Sequence, residues 1–422
     1  MGEKEVSKAN TNNSLYNKYS LKEKLKGMGP GILVVGTFMG PGSITSATRA
    51  GASFGFALLW TVVFSIIAVI VLQEMASRFG IVTQTGLAEG IMSYLGDKPV
   101  IRKIMAAVIA FSITLGGMAY MGGDLTGTAM GVSSITGIPS NIVAAVWGCC
   151  ILIIINISDD ILKTLMKLLS VTVTVMAVVF TATMIITKPD MSEIFKGMIP
   201  SIPHGSALTC VAMIGTTVVP YNMFIHATSS RRTWSDPKQL PLSRFDTTIT
   251  MIIGGIITAA IMISAGTVIR GVEVASAADM SGSLEPLLGR FAKPFLAIGM
   301  VAAGVSASTG TPLGVSFVLS GLFGWEMHRK DKRFFYTNVI VLVTGIAVAL
   351  SGFKPVSIIM TAQAVNGIFL PIVVFLLIYL TSREKLMGKY KSTPIQNVLG
   401  ILVGVVTLIV GISSLISFLY IK

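Results

Sequence analysis

Two breaks marked by proline, each set inside an apolar run of membrane-spanning length, constrain this chain more than any other feature. The first is Met39-Gly40-Pro41-Gly42-Ser43, preceded by the apolar stretch 31–36 and followed by 44–51 and a second apolar block from Phe56. The second is Val218-Val219-Pro220-Tyr221-Asn222, in an equally apolar setting. Proline has no N–H to give, and glycine permits φ/ψ values that unwound backbone needs, so a helix does not easily continue through either. In water each would be an ordinary turn. In a bilayer, irregular backbone survives only where protein buries it or where it lines a wet cavity. Two interrupted spans in corresponding places point to the central binding site of a transporter.

Composition supports the lipid setting. The chain is 53% hydrophobic and 12% charged, with mean hydropathy +0.79; a soluble domain carries about a quarter charged residues. No cleavable signal peptide is expected, because residues 1–27 are polar and basic. Cys149, Cys150 and Cys210 lie in apolar runs without C-x-x-C spacing and read as small core residues.

Apolar stretches of spanning length follow the tail at 30–54, 56–77, 104–132, 140–157, 161–187, 206–230, 246–269, 294–322, 334–352, 356–380 and 395–420. The expected fold is an all-α integral membrane protein of eleven spans. Lysine and arginine set its orientation. The tail and alternate loops hold 24 of the 32 basic residues, among them Arg78, Lys163, Lys167, Arg244, Arg333 and Lys389. The N-terminus is therefore expected in the cytoplasm of a plasma-membrane protein, with the C-terminus outside. The net charge of +13 reads as this topology signal and not as a nucleic-acid surface. The breaks fall in the first and sixth spans. Two repeats of five spans in opposite orientation would put them in register, with the eleventh span an addition. The divisions are 1–27 as tail, 28–200 and 201–382 as repeats, and 383–422 as the last helix.

Several stretches resemble the NRAMP (natural resistance-associated macrophage protein) family of metal-ion transporters. Gly51-Ala52-Ser53-Phe54-Gly55 through Leu58-Leu59-Trp60 is similar to a family stretch, as is Ala76-Ser77-Arg78-Phe79-Gly80-Ile81-Val82-Thr83 with Leu87-Ala88-Glu89. Thr381-Ser382 to Lys385-Leu386-Met387-Gly388 resembles the segment before the last helix, and Gly215 to Asn222 with His226 resembles the sixth-span motif. The resemblance implies a LeuT-type fold, a 5+5 inverted repeat with an eleventh helix, whose first and sixth helices unwind at mid-membrane. The usual metal ligands depart from the family pattern. Family metal transporters read Asp-Pro-Gly-Asn where this chain reads Gly40-Pro41-Gly42-Ser43, and Met-Pro-His-Asn where it reads Val219-Pro220-Tyr221-Asn222. Met121 stands at the position of a family aspartate linked to proton movement, and Asp124 at that of a nearby glutamate. Gln363 matches a family glutamine close to the ion.

Borderline metals want nitrogen, sulfur or carboxylate ligands, and hard cations want several oxygens, usually with one carboxylate. The expected substrate-binding set, Gly40, Ser43, Thr216, Val219, Tyr221, Asn222, Gln363 and Asn366, is neutral. Three readings stay open for a secondary transporter working by alternating access. One is a hard, largely hydrated cation such as Mg²⁺, favoured over Mn²⁺ or Fe²⁺, with Asp124 supplying charge. Another is a small neutral, zwitterionic or anionic solute held by helix N-termini at the breaks. The third is a non-transporting sensor relative.

Single residues divide between function and structure. Asp124 is the most informative acid, because a membrane carboxylate is costly and usually functional; a polar helix contact is its bland reading. His226, just beyond the second break, reads equally as a proton relay or as a structural histidine. Glu74 precedes Arg78 by four residues and reads as an ion pair. Gly304, Gly310, Pro312 and Gly314 read as close packing. No P-loop, paired acids or nucleophile–base set is present, so neither an ATP-driven pump nor an enzyme is expected. No cofactor is implied. Partners are a small ion or solute and membrane lipid, and the chain is expected as a monomer.

Overall fold

The computed structural model describes residues 19–157, 161–328 and 330–420. Residues 1–18 of the tail, Arg329 and Lys422, together with the side chains of Lys163 and Lys167, lie outside the described residues. Thirteen helices build the body: α1 Pro30–Phe38, α2 Pro41–Phe54, α3 Leu59–Thr83, α4 Pro99–Thr136, α5 Ser140–Ile157, α6 Ile161–Ile186, α7 Ala207–Thr217, α8 Pro220–Thr233, α9 Leu240–Val268, α10 Ala292–Phe323, α11 Lys332–Ala349, α12 Pro355–Thr381 and α13 Pro394–Tyr420. Among the described residues there is no strand. The first expected span is α1 with α2 and the sixth is α7 with α8, so helices stand at all eleven expected positions, and among the described residues seven segments are long and apolar enough to cross a membrane. At 9 and 14 residues, α1 and α2 are each too short to cross hydrocarbon alone, which takes about 20 residues.

The breaks are tighter than expected. The sequence placed unwound backbone at 40–43 and 219–222; the structure confines it to Met39–Gly40 and Val218–Val219. Pro41 and Pro220 each start the next helix, where the missing N–H costs nothing and the fixed φ already suits the helix. Gly42, Ser43, Tyr221 and Asn222 therefore belong to first turns, not to the breaks. Gly40 itself, at φ −88° and ψ −178°, holds a conformation open to any residue. Its smallness matters instead: an added Cβ would lie 2.9 Å from Ala307 Cβ.

Close helix approach fixes the frame around the breaks. At Gly51 of α2, an added Cβ would stand 2.2 Å from the Met262 carbonyl oxygen of α9, a backbone atom that cannot step aside. The glycines of α10 work in the same way: Gly304 meets Thr128 of α4, Gly310 meets Thr37 of α1, and Gly314 meets Tyr221 of α8. Small residues let membrane helices reach such distances. The expected close-packing role holds.

Polar ties lock the ends. The buried carboxylate of Asp246 (α9) accepts from Gly29 N at 3.2 Å and Gly31 N at 2.7 Å, capping the N-terminus of α1. The expected Glu74–Arg78 pair is present at 3.1 Å, and Glu74 also takes Arg244 Nε of α9 at 2.9 Å. Arg78, 2% exposed, donates Nη2 to Ser392 Oγ at 3.1 Å and Nη1 to the Tyr390 carbonyl.

Two outcomes are expected from this frame. Gly51→Ala should destabilise by about 1–3 kcal/mol or more through overpacking, read as a lower unfolding temperature in detergent; an unchanged value would refute the contact. Asp246→Ala, which strands two N–H groups at the start of α1, should cost about 0.5–2 kcal/mol by the same assay.

Candidate substrate site at the helix breaks

Half-helices that end in mid-membrane leave carbonyls without intrahelical partners, and here hydroxyls from neighbouring elements take them. Ser43 Oγ donates across the first break to the Phe38 carbonyl. That uses its one proton, so Thr216 Oγ1, 2.8 Å away on α7, is the donor between the two hydroxyls. Tyr120 of α4 donates to the Thr216 carbonyl at 3.3 Å, and Ser306 of α10 to the Gly36 carbonyl at 2.8 Å. Thr37, in the last turn of α1, shares its one hydroxyl proton between the Val34 carbonyl at 2.7 Å and Asn222 Oδ1 at 2.9 Å. The two breaks are thus stitched to each other by Ser43–Thr216 and Thr37–Asn222.

One acidic side chain enters this arrangement. Asp124, wholly buried on α4, accepts from Thr311 Oγ1 of α10 at 3.0 Å through Oδ2. With the Thr311 proton so used, Tyr221 OH donates to Thr311 at 2.9 Å, giving the chain Tyr221–Thr311–Asp124. The other oxygen, Oδ1, has no hydrogen-bond partner and lies 3.4 Å from where a Gly40 Cβ would be. A carboxylate oxygen therefore faces the place where this chain carries no side chain. Gln363 points its amide at Gly42, whose added Cβ would fall on Gln363 Nε2, and neither of its amide atoms is hydrogen-bonded. Asn222 Nδ2 is likewise without a partner.

The structure brings Gly40, Ser43, Thr216, Asn222, Gln363 and Asp124 together at the breaks, with Tyr221 tied in through Thr311. Val219 is buried backbone of the second break. Two residues lie about one turn along their helices, Asn366 from Gln363 and His226 from Asn222. Asn366 lies against α4, with Oδ1 2.8 Å from an added Cβ on Gly116. His226 sits between α8 and α3, its Nδ1 3.0 Å from Gln73 Oε1. All these side chains are shut away from both faces in this conformation.

Five contributors went unread in the sequence: Thr37, Tyr120, Ser306, Ala307 and Thr311. Tyr120 lies four residues before Asp124 and shares its helix face, and Thr311 sits between Gly310 and Pro312, so both carried a signal. Thr37 and Ala307 look like any small residue of a membrane span.

The comparisons with known proteins agree with this architecture. The divalent metal cation transporter MntH of Caldanaerobacter subterraneus subsp. tengcongensis is 25% identical over 419 residues, covering 97% of this chain and 96% of that protein. A crystal structure of the Eremococcus coleocola manganese transporter, in complex with an aromatic bis-isothiourea substituted compound, superposes with TM-score 0.76 at 20% identity, covering 93% and 87% of the two chains. MhsT in complex with L-phenylalanine does so with TM-score 0.54 at 18% identity, covering 93% and 97%. These likenesses carry the fold: a LeuT-type helical membrane protein with a 5+5 inverted repeat and one added helix. The model described as "Natural resistance-associated macrophage protein-like" matches residues 31–417, and this chain belongs to that family.

Proposed function

We propose that this chain is a secondary active transporter that carries a hard divalent cation of the Mg²⁺ type, still partly hydrated, past the breaks by alternating access. The observation that carries the reading is the unpartnered Asp124 Oδ1 facing Gly40. Buried carboxylates in membranes are costly and are kept where an ion or proton needs them. Mg²⁺ dehydrates reluctantly and is usually bound through one or two carboxylates with several waters retained, which suits one acid among neutral oxygens. The amides of Gln363 and Asn222 present either oxygen or nitrogen after a half-turn and can hold such waters. Among the described residues no group of three or more His, Cys, Asp or Glu could cage a bare ion. The second break carries Val219 and Tyr221 in place of a thioether and an imidazole, and the Met39 sulfur of the first lies 3.5 Å from Thr258 Oγ1 of α9, so neither break aims a soft ligand at the group around Asp124 to select Mn²⁺ or Fe²⁺. The similarity to transporters described as carrying divalent metal cations supports the class of substrate.

Since the site is buried from both sides, passage requires the half-helices to move. The short α1, held at one end by Asp246 and at the other by Ser43 and Thr37, is the natural moving part. The basic excess of the tail and alternate loops supports a cytoplasmic N-terminus for a plasma-membrane protein.

A second reading rests on a separate observation. The free amide donors at Gln363 and Asn222, with the N-termini of α2 and α8 opening at the breaks, suit the acceptors of a small zwitterionic or anionic solute. Asp124 separates the two, because an anion gains nothing from its charge.

In proteoliposomes, Mg²⁺ uptake should be present and should fall to the level of empty vesicles in Asp124→Asn, with folding judged by unfolding temperature. Thr311→Val, which removes one hydrogen bond to the carboxylate, should reduce uptake by about tenfold or more. Micromolar Mn²⁺ should not compete. Robust Mn²⁺ transport would overturn the ligand argument, and absence of any Mg²⁺ flux would favour the solute reading.

A further inference from the structure

Away from the breaks, α3, α9 and the connection into α13 enclose a cavity of about 690 Å³ on the basic side of the protein. Its lining holds five cations, Arg78, Lys238, Arg244, Lys389 and Lys391, against one carboxylate, Glu74. Glu74 is already shared between Arg78 and Arg244. Lys391 reaches Glu384 outside the lining at 2.6 Å, in an exposed ion pair that adds little. Lys238 and Lys389 are exposed, and the cavity keeps a positive excess that its own residues do not neutralise.

The cavity also joins apolar lining to its charge. Ile70, Glu74 and Arg78 follow one another at four-residue spacing along one face of α3, a distance of about 12 Å. Arg78 stands toward the basic end and Ile70 two turns deeper, while Leu240 and Pro241, at the start of α9, add apolar surface beside Lys238. A soluble anion would use the charged lip and leave the apolar part wet. A molecule with a negative head and an apolar continuation uses both. We propose that this cavity binds an anionic phospholipid of the adjoining leaflet, its phosphate among Lys238, Lys389 and Lys391, its glycerol against Leu240 and Pro241 and its upper acyl region along Ile70. A zwitterionic lipid brings its own cation and cannot neutralise the excess. Bound there, the lipid bridges α3, α9 and the segment before α13, the three pieces that Glu74 and Arg78 already tie.

The test is thermal unfolding of the purified full chain in detergent, with phosphatidylglycerol, phosphatidylcholine or glycerol phosphate added. Phosphatidylglycerol should raise the unfolding temperature by about 3 °C or more at saturation, and the other two by less than about 1 °C. The variant Lys238→Gln/Lys389→Gln/Lys391→Gln should lose the shift, and Lys22→Gln/Lys26→Gln, which removes exposed charge on the same side outside the cavity, should keep it. All five lysines are exposed, so their truncation leaves the core intact; if the triple variant is nonetheless unstable, each single variant should bind less phosphatidylglycerol by native mass spectrometry. Equal shifts with phosphatidylcholine, an equal shift with glycerol phosphate, or a shift that survives in the triple variant or its singles would each overturn the proposal. Loss of the shift in the Lys22/Lys26 control would overturn it too, by showing general surface attraction.

Discussion

Backbone polar groups have no water to turn to inside a bilayer, and the rest of this structure follows from how that demand is met at two places. Opening α1–α2 at Met39–Gly40 and α7–α8 at Val218–Val219 strands carbonyls at Gly36, Phe38 and Thr216. Hydroxyls of Ser306, Ser43 and Tyr120 take them. Each hydroxyl comes from a different helix, so satisfying the breaks forces α2, α4 and α10 to converge on the bilayer centre. The glycines of α10 then become necessary, because only a surface without side chains lets Thr37 and Tyr221 approach. Position of the site and tightness of the fold are two results of one constraint.

Charge follows the same geometry. A carboxyl group is absent from the first break, yet the centre has one, because Asp124 reaches it from α4. Ala307 and Asp124 Oδ1 together occupy the volume that a side chain at Gly40 would need. The carboxyl group has in effect another address within the same few ångströms. Its second oxygen is fixed by Thr311 and, through it, by Tyr221 on the other broken helix. That link ties the carboxyl group to both breaks at once, so a change in occupancy at Oδ1 would be felt by α8.

Sequence alone determined the architecture. Eleven apolar runs of the right length, a charge bias in alternate loops and two proline breaks one repeat apart are local or periodic properties, and the bilayer admits few folds that meet them. The Glu74–Arg78 pair was legible for the same reason, since four-residue spacing on a helix is itself a contact. Boundaries were less legible. α9 begins six residues ahead of the apolar run at 246, because a helix extends past the hydrocarbon wherever polar residues such as Arg244 find partners beyond it.

What only the tertiary structure decided was which residues meet. Nothing in the spacing of Asp124, Thr311 and Gly40 predicts that a carboxylate would stand over the first break, because helix rotation and depth are set by packing against neighbours. The same holds for Asn366 and His226. Each shares a helix face with a site residue, Gln363 or Asn222, yet lies about one turn along the axis, where packing sets it against Gly116 or Gln73. Thr37 and Ala307 were silent in the sequence because a small side chain acquires its role from the distance to what lies opposite, and that distance exists only in the folded chain.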